Sequence, residues 1–333
     1  MTDLPIKRSF KDDFGVEIMF YEWPVAEPKA VIQIAHGLGE HARRYDAMAA
    51  TLNKAGFSVY ADDHRGHGQT GLKQLENKQI KRLGNLGPGG MRATYKQVAD
   101  FSKLIKEENP NRPLVLLGHS WGSFIAQKVI NKNSDMYDAV ILSGSALTMP
   151  GYLATGDFNK VWKKLPGSTG YEWLSRDVEI QNKFVADPLT FLALAMQVFG
   201  VKNSLQLFGT PSKEIRKDLP ILVQVGEADP IGGEYSNKAL VEAYRKNAGI
   251  DDIELYVYHE CRHEIYNELN KEAIIDDLVT WVNQRVSLKL SLSPWPAASS
   301  NSVFNGALKK VMGFWVPFHI HNHVGTNRDN LVL

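Results

Sequence analysis

Leu114-Val115-Leu116-Leu117-Gly118-His119-Ser120-Trp121-Gly122 is an apolar run that ends in a tight glycine turn. The next residues, 123–131, place apolar side chains at helical spacing, so the stretch predicts a strand, a sharp turn and a helix. The turn fits G-x-S-x-G, a pattern in which a serine hydroxyl projects from a strained bend between strand and helix. Ser120 is therefore a candidate covalent nucleophile. The five-residue pattern by itself also occurs in ordinary Gly/Ser turns.

Strand-like and helical segments alternate on both sides of this turn. Short apolar runs predict strands at 31–35, 57–61, 114–117, 139–143, 221–225 and 255–258, and helical spacing predicts helices near 45–55, 91–107, 123–131 and 274–286. This alternation is typical of an α/β protein with a mostly parallel sheet covered by helices on both faces. Ligands bind such sheets at the carboxyl ends of the strands, so functional residues are expected in the loops that follow them.

The alternation defines a core made of residues 1–146 and 219–290. Residues 147–218 contain no convincing strand, and they carry many large apolar side chains: Met149, Tyr152, Phe158, Trp162, Trp173, Phe184, Phe191, Met196, Phe199 and Phe208. We expect this segment to be a helical cap, or lid, inserted between two strands. Most of these side chains are expected to pack the cap onto the core, and an apolar substrate pocket would form beneath it.

The last segment, 291–333, reads as a linker followed by an amphipathic tail. Residues 293–301 are rich in Pro, Ala and Ser, and the tail then places one apolar face along 303–316. That face could dock on the core or on another copy, or lie in a membrane interface. A disordered or adventitious extension is the third alternative.

Composition excludes several classes of function. The 333 residues carry a net charge of +1, which gives no electrostatic case for binding nucleic acid. The single cysteine, Cys261, excludes an internal disulfide framework and a multi-cysteine metal site. Residues 1–15 do not resemble a signal peptide, and no apolar run of about 18 residues exists. We therefore expect a cytoplasmic protein, with peripheral membrane contact through the cap or residues 303–316 as an option. No metal is expected, because His319-x-His321-x-His323 lies in the tail without other ligands.

A serine nucleophile needs a histidine base that a carboxylate holds in place, and where a serine stands at such a turn the chain order is Ser, then Asp or Glu, then His. His263 follows the strand 255–258 by a short loop, where a base is expected, whereas His259 is closer to the strand and suits a structural role. Asp229 follows the strand 221–225, and Pro230 biases it toward an extended conformation. Glu227 is the competing carboxylate.

Acyl transfer also needs N–H donors for a tetrahedral oxyanion. One is expected from Trp121, the residue after the candidate nucleophile. The second is expected from Leu38 in the loop His36-Gly37-Leu38-Gly39-Glu40-His41, which follows the strand 31–35. The alternative is that this loop is a glycine-rich connection without a ligand.

Together these motifs resemble the α/β-hydrolases of the monoacylglycerol lipase and lysophospholipase type, a group also classed with the S33 serine aminopeptidases. The resemblance covers about residues 8–288. Its further motifs are Asp63-His64-Arg65-Gly66-His67-Gly68, Leu174-Ser175-Arg176-Asp177, Ala186-Asp187-Pro188-Leu189, Gly226-Glu227-Ala228-Asp229-Pro230 and Arg262-His263-Glu264-Ile265-Tyr266-Asn267-Glu268.

The resemblance implies an α/β-hydrolase fold and a role for each candidate residue. Ser120 would be the nucleophile, Asp229 the acid and His263 the base, with oxyanion amides at Leu38 and Trp121. Trp121 departs from the group, which more often has Met there, so its ring is expected to shape the acyl site. The tail after about residue 290 has no recognisable counterpart.

The expected function is hydrolysis of a carboxylic ester through an acyl-enzyme, without a cofactor. By resemblance the substrate is a monoacylglycerol or a lysophospholipid. A short-chain or aryl carboxylesterase is the first alternative, and transfer of the acyl group to another alcohol is a further one. A proline-type serine aminopeptidase is disfavoured, because that group resembles Gly-Gly-Pro where this chain has Leu38-Gly39-Glu40. A haloalkane dehalogenase would need a carboxylate at position 120, and a non-enzymatic binding protein would have a broken triad.

Overall fold

The computed structural model describes residues 4–292 of the chain. Across that range eight strands form one sheet: β1 (Ile6–Lys11), β2 (Glu17–Trp23), β3 (Ala30–Ala35), β4 (Phe57–Asp62), β5 (Leu114–His119), β6 (Ala139–Ser143), β7 (Ile221–Gly226) and β8 (Ile253–Tyr258). Their order in space is β1-β2-β4-β3-β5-β6-β7-β8. β2 is antiparallel to both of its neighbours, and β3 to β8 run parallel.

Helices fill most of the connections. They are α1 (Asp46–Lys54), α2 (Gly68–Glu76), α3 (Gly90–Glu108), α4 (Trp121–Asn133), α5 (Val178–Ala186), α6 (Ala195–Phe199), α7 (Val201–Ser204), α8 (Gly233–Ala243) and α9 (Lys271–Leu292). The six predicted strands are confirmed to within two residues, and the four predicted helices are present. The sequence patterns did not predict β1, β2, α2 or α8.

Successive residues of the central strands belong to two different cores. In β5, Leu114 and Leu116 pack with α3, α4 and α8, whereas Val115 and Leu117 pack with α1 and α9. Side chains alternate across a strand, so a strand that is apolar at every position must be covered on both faces. The predicted parallel sheet with a helical layer on each face is confirmed.

Residues 147–218, the cap segment, lie between β6 and β7. They contain α5, α6 and α7, joined by turns and a short 3-10 helix at Leu205–Leu207. None of the helices within residues 4–292 has both the length and the apolar character needed to cross a bilayer. The predicted amphipathic tail over 303–316 and the tail histidines lie outside the described residues.

Candidate active site

The turn between β5 and α4 confirms the strand–turn–helix predicted around Ser120. Ser120 adopts φ +53° and ψ −122°, a region that residues with a side chain rarely occupy. Both flanking positions must be glycine, because neighbouring backbone atoms leave no room for a Cβ atom. A Cβ on Gly118 would lie 2.5 Å from the Gly122 carbonyl oxygen, and one on Gly122 would lie 2.0 Å from that of Ala35. The closely packed backbone therefore holds Ser120 in a strained conformation at the tip of the bend.

The two residues predicted as acid and base form a buried pair. The His263 Nδ1–H donates to Asp229 Oδ2 at 2.9 Å, and Asp229 Oδ1 accepts the Ile231 N–H at 2.9 Å. Burial lowers the pKa of His263, but the Asp229 carboxylate outweighs it, so the pKa lies above its ordinary value of 6.5. His263 Nε2 is buried and has no protein partner among the described residues, and His263 lines the same cavity as Ser120. The ring is thus oriented with one nitrogen available for a proton.

The two competing residues from the sequence bind each other away from this pair. His259 Nδ1 lies 2.7 Å from Glu227 Oε2, which also accepts the Glu260 N–H at 3.1 Å. The side chains of His259 and Glu227 are 72% and 49% exposed. They hold the loops after β7 and β8 together at the surface, and neither lines the cavity.

The glycine loop after β3 reaches the nucleophile and has a defined hydrogen-bonding pattern. His36 Nδ1–H donates to the Gly37 oxygen at 2.7 Å, and His36 Nε2 accepts the His64 N–H at 2.9 Å. This needs a neutral ring, and burial together with neighbouring imidazoles holds the pKa of His36 well below 6.5. The Gly37 N–H donates to Glu40 Oε1 at 2.6 Å. A Cβ on Gly37 would lie 3.2 Å from Ser120 Cβ, so the loop touches the nucleophile.

Arg44 joins this loop to the residue after His263. Its guanidinium donates to Glu40 Oε2 at 2.7 Å and to both Glu264 oxygens at 2.6 and 2.8 Å. Burial raises the pKa of Glu264, yet Arg44 lowers it more strongly, to about 2. The sequence did not lead us to predict a role for Arg44. Its partners Glu40 and Glu264 both lie in motifs that carry the family resemblance, and they were the feature that could have indicated it.

His119 is a second residue that sequence reasoning missed. Its ring centroid lies 4.8 Å from that of His263, and its Nδ1 lies 3.2 Å from Ser143 Oγ. Burial, followed by repulsion from His263, lowers the pKa of His119 to about 4. A ring that is neutral at ordinary pH puts no positive charge beside the base. The feature of the sequence that could have indicated this role is the position of His119 next to the nucleophile in the turn.

A cavity of about 290 Å³ opens over Ser120. It is lined by Leu38, Glu40, His119, His263 and Glu264 around the reactive groups, and mainly by apolar and aromatic side chains beyond them: Trp121, Phe124, Leu153, Phe158, Trp173, Phe184, Phe191, Phe199, Leu207 and Ile231. The Trp121 ring is buried and lies 4.9 Å from the Phe199 ring. Most of this apolar wall belongs to the cap segment, so the space beyond the reactive groups suits a hydrocarbon chain.

The arrangement supplies the parts that acyl transfer needs. It has a hydroxyl on a strained turn, an imidazole held by a carboxylate, and backbone amides at a helix start and a glycine loop. Within residues 4–292 no group of three or more His, Cys, Asp or Glu side chains is arranged to hold a metal ion.

Known proteins resemble this chain in both fold and sequence. The chain is 29% identical over 295 residues to the monoacylglycerol lipase of Mycolicibacterium smegmatis, covering 83% of this chain and 96% of that protein. A thermostable carboxyl esterase from Bacillus coagulans superposes with a TM-score of 0.73 at 23% identity, over 86% of this chain and all of that one. A soluble variant of the Saccharomyces cerevisiae monoglyceride lipase gives a TM-score of 0.67 at 18% identity, over 86% and 97% of the two chains.

These likenesses show the α/β-hydrolase fold. Residues 26–270 match the Hydrolase_4 family, described as serine aminopeptidase, S33. That match spans more than half of the chain and contains the strained serine, the buried Asp–His pair and the glycine loop. The chain therefore belongs to the Hydrolase_4 family of α/β-hydrolases.

Proposed function

We propose that this protein is a carboxylic ester hydrolase that cleaves monoacylglycerols through an acyl-enzyme on Ser120. The observation that carries the proposal is the buried Asp229–His263 pair, whose free Nε2 shares an apolar cavity with Ser120. Relatives that cover most of the chain are named monoacylglycerol or monoglyceride lipases.

Each group has a defined step. Ser120 Oγ attacks the ester carbonyl while His263 Nε2 takes its proton, and Asp229 stabilises the imidazolium that forms. The Leu38 and Trp121 N–H groups donate to the oxyanion. His263 then protonates the leaving alcohol. Water attacks the acyl-enzyme by the same route, and the fatty acid leaves.

The cavity favours an acyl chain over a peptide N-terminus. An aminopeptidase needs a carboxylate that is free to bind the substrate ammonium group. The carboxylates lining the described cavity are Glu40 and Glu264, and both are bound to Arg44. The aromatic wall, in contrast, matches an aliphatic chain. The family's description as an aminopeptidase is therefore a poor guide to the substrate here.

A serine-directed probe tests the nucleophile. We expect Ser120→Ala to lose both fluorophosphonate labelling and p-nitrophenyl ester turnover, whereas Ser9→Ala, at an exposed position on β1, keeps both. Circular dichroism checks that both variants fold. Undiminished labelling of folded Ser120→Ala would overturn the assignment.

A substrate panel tests the specificity. It contains monoacylglycerols, lysophosphatidylcholine, p-nitrophenyl esters from acetate to palmitate, and proline p-nitroanilide. We expect the highest kcat/KM on a monoacylglycerol. A preference for lysophosphatidylcholine or for acetate would reassign the substrate class, and turnover of the prolyl anilide alone would make the protein an aminopeptidase.

We also propose that the cap segment makes peripheral contact with lipid. Several of its apolar side chains are more than half exposed, among them Leu192, Met196, Val201 and Leu205 at 55–65%. In flotation with phosphatidylcholine vesicles, Leu192→Ser/Leu205→Ser should bind more weakly than the parent chain. Leu269→Ser, at a residue 62% exposed outside the cap segment, is the matched control. A chain ending at residue 291 tests the tail, and equal partitioning of all variants would dismiss both contacts.

A further inference from the structure

The loop that carries His263 is hydrogen-bonded to the cap segment through its main chain. We name residues 260–268 the base loop and residues 172–177 the clamp. The His263 N–H donates to the Trp173 oxygen at 3.3 Å, and the Glu264 N–H donates to the Leu174 oxygen at 2.7 Å. The main chain of the base is therefore fixed by residues that lie about 90 positions earlier in the sequence.

Side chains extend the same contact on both sides of His263. Arg262 Nη1 donates to the main-chain oxygen of Glu172 at 2.6 Å, and Ser175 Oγ donates to the main-chain oxygen of Asn267 at 2.8 Å. The Trp173 and His263 ring centroids lie 5.1 Å apart with the planes at 31°. The clamp thus holds the base loop from residue 262 to residue 267.

Glu268 is the central acceptor of this contact. Its buried carboxylate accepts the Arg176 Nε–H at 2.8 Å, the Arg176 N–H at 3.1 Å and the Arg262 N–H at 2.8 Å. Arg176 also donates to Glu260 Oε2 at 2.9 Å. Because Glu268 is buried, separating it from Arg176 would leave its negative charge uncompensated. That cost favours the geometry in which the two residues stay paired.

We propose that Arg176 and Glu268 are positioning residues for the base, an inference that rests on the proposed function. Asp229 fixes the Nδ1 side of the His263 ring, but Nε2 must stay free for the serine proton, so the rest of the ring's placement comes from its main chain and from the Trp173 and His119 rings packed against it. Arg176 and Glu268 join the clamp, which carries Trp173, to the base loop, which carries the main chain of His263. A displacement of about 1 Å at a reacting group costs about 10²-fold in rate.

The kinetic test separates positioning from simple stabilisation of the cap segment. We expect Arg176→Gln and Glu268→Gln to lower kcat about 10-fold to 100-fold, with KM changed less than about threefold. Arg176→Lys should recover part of kcat, because an ammonium can still donate to Glu268. Fluorophosphonate labelling should slow in parallel with kcat.

Arg285→Gln is the matched control. Arg285 is also a largely buried arginine in an ion pair, with Asp252 at 2.8 Å, but it joins α9 to the residue before β8 and does not line the cavity. It should lose stability with kcat unchanged. If folded Arg176→Gln and Glu268→Gln behave as this control does, the positioning role is wrong.

A measurement without turnover keeps the inference separate from the proposed function. The proton on His263 Nδ1, bonded to Asp229, gives a downfield ¹H resonance that should move upfield or broaden in Arg176→Gln and stay unchanged in Arg285→Gln. An unchanged resonance in Arg176→Gln contradicts the inference. If the wild-type chain failed to react with the probe, the proposed function would fall and this resonance alone would decide the positioning role.

Discussion

At the scale of single residues, the backbone strain at Ser120 is the most informative feature. Its φ of +53° is maintained by the fold around it rather than by its own preference. Such strain costs about 1–3 kcal/mol. It is offset because the surrounding sheet and helix are buried and their close contacts leave the turn no alternative path.

Replacing Ser120 by glycine should therefore reveal the strain. We expect Ser120→Gly to be more stable than Ser120→Ala by about 1 kcal/mol, after allowing for the greater freedom of glycine in the unfolded chain. Both variants lack the nucleophile, so the comparison isolates the backbone. Urea unfolding measures it, and a more stable alanine variant would show that the turn is not strained.

The Asp229–His263 pair makes a prediction for pH. The base must be neutral to act, and Asp229 raises the pKa of His263 above 6.5, so kcat/KM should fall as pH drops through a value above 6.5. In Asp229→Asn burial, the largest influence, lowers that pKa, and only the weaker attraction of Glu264 and Glu40 opposes it. The acidic limb should then move below 6.5, and kcat should drop by about 10⁴-fold. A pH–rate profile of both proteins checks this, and an unmoved limb would contradict it.

The sequence was informative about the residues that follow strands and uninformative about those that act through others. Asp229 and His263 were predicted because each stands just after a strand. The structure adds that their competitors, Glu227 and His259, pair at the surface. The role of Arg44 depends on two loops that meet only in space, so no local pattern could predict it.

At the scale of elements, the crossing of β3 and α4 is the tightest contact near the site. Gly122, in the first turn of α4, faces the carbonyl oxygen that ends β3, and the distance leaves no room for a methyl group. The position of the start of α4, whose first residue lines the cavity, is therefore set by one glycine.

Gly122→Ala should disrupt this crossing. We expect a loss of more than about 3 kcal/mol in the free energy of unfolding, because backbone cannot give way by 1 Å or more. Gly15→Ala is the control: nothing lies within 4 Å of its Cβ position, and it carries only the cost of a φ of +71°. That cost is about 1–2 kcal/mol. Equal losses measured by urea unfolding would contradict the steric argument.

Elements that were missed have weak local patterns. β1 reads Ile-Lys-Arg-Ser-Phe-Lys and is largely exposed, since it is at one edge of the sheet. β1 forms a strand because it pairs with β2, and the residues of β1 alone do not indicate that pairing. α2 contains two glycines, which lower its intrinsic helix propensity. Among the six predicted strands, β3 to β7 were recognisable because every residue in them is buried, whereas β8, at the other edge of the sheet, was recognisable by its run at 255–258.

At the scale of the whole molecule, Arg44 closes a long loop of chain. Its ion pair with Glu264 joins residues 220 positions apart. The order of the strands in space, with β4 between β2 and β3, is likewise set by long-range packing and was not predicted.

This ion pair should shape stability in acid. The pKa of Glu264 is about 2 in the folded chain against an ordinary 4.5, so its contribution is complete above pH 4.5 and is lost as pH falls toward 2. In Glu264→Gln the fall in unfolding free energy between pH 4.5 and 2 should be shallower. Glu76→Gln, which removes an exposed carboxylate, should keep the wild-type slope. Urea unfolding at several pH values measures both, and equal slopes would refute the assignment.

The clamp also bears on how such an enzyme can diversify. A cap that only covered the cavity could be exchanged among relatives as a self-contained module, altering selectivity and sparing the chemistry. Here residues 172–177 belong to the inserted segment by sequence and to the reactive centre by contact. A chimaera that imports a foreign cap should therefore retain turnover only when residues 172–177 of this chain are kept within the imported segment.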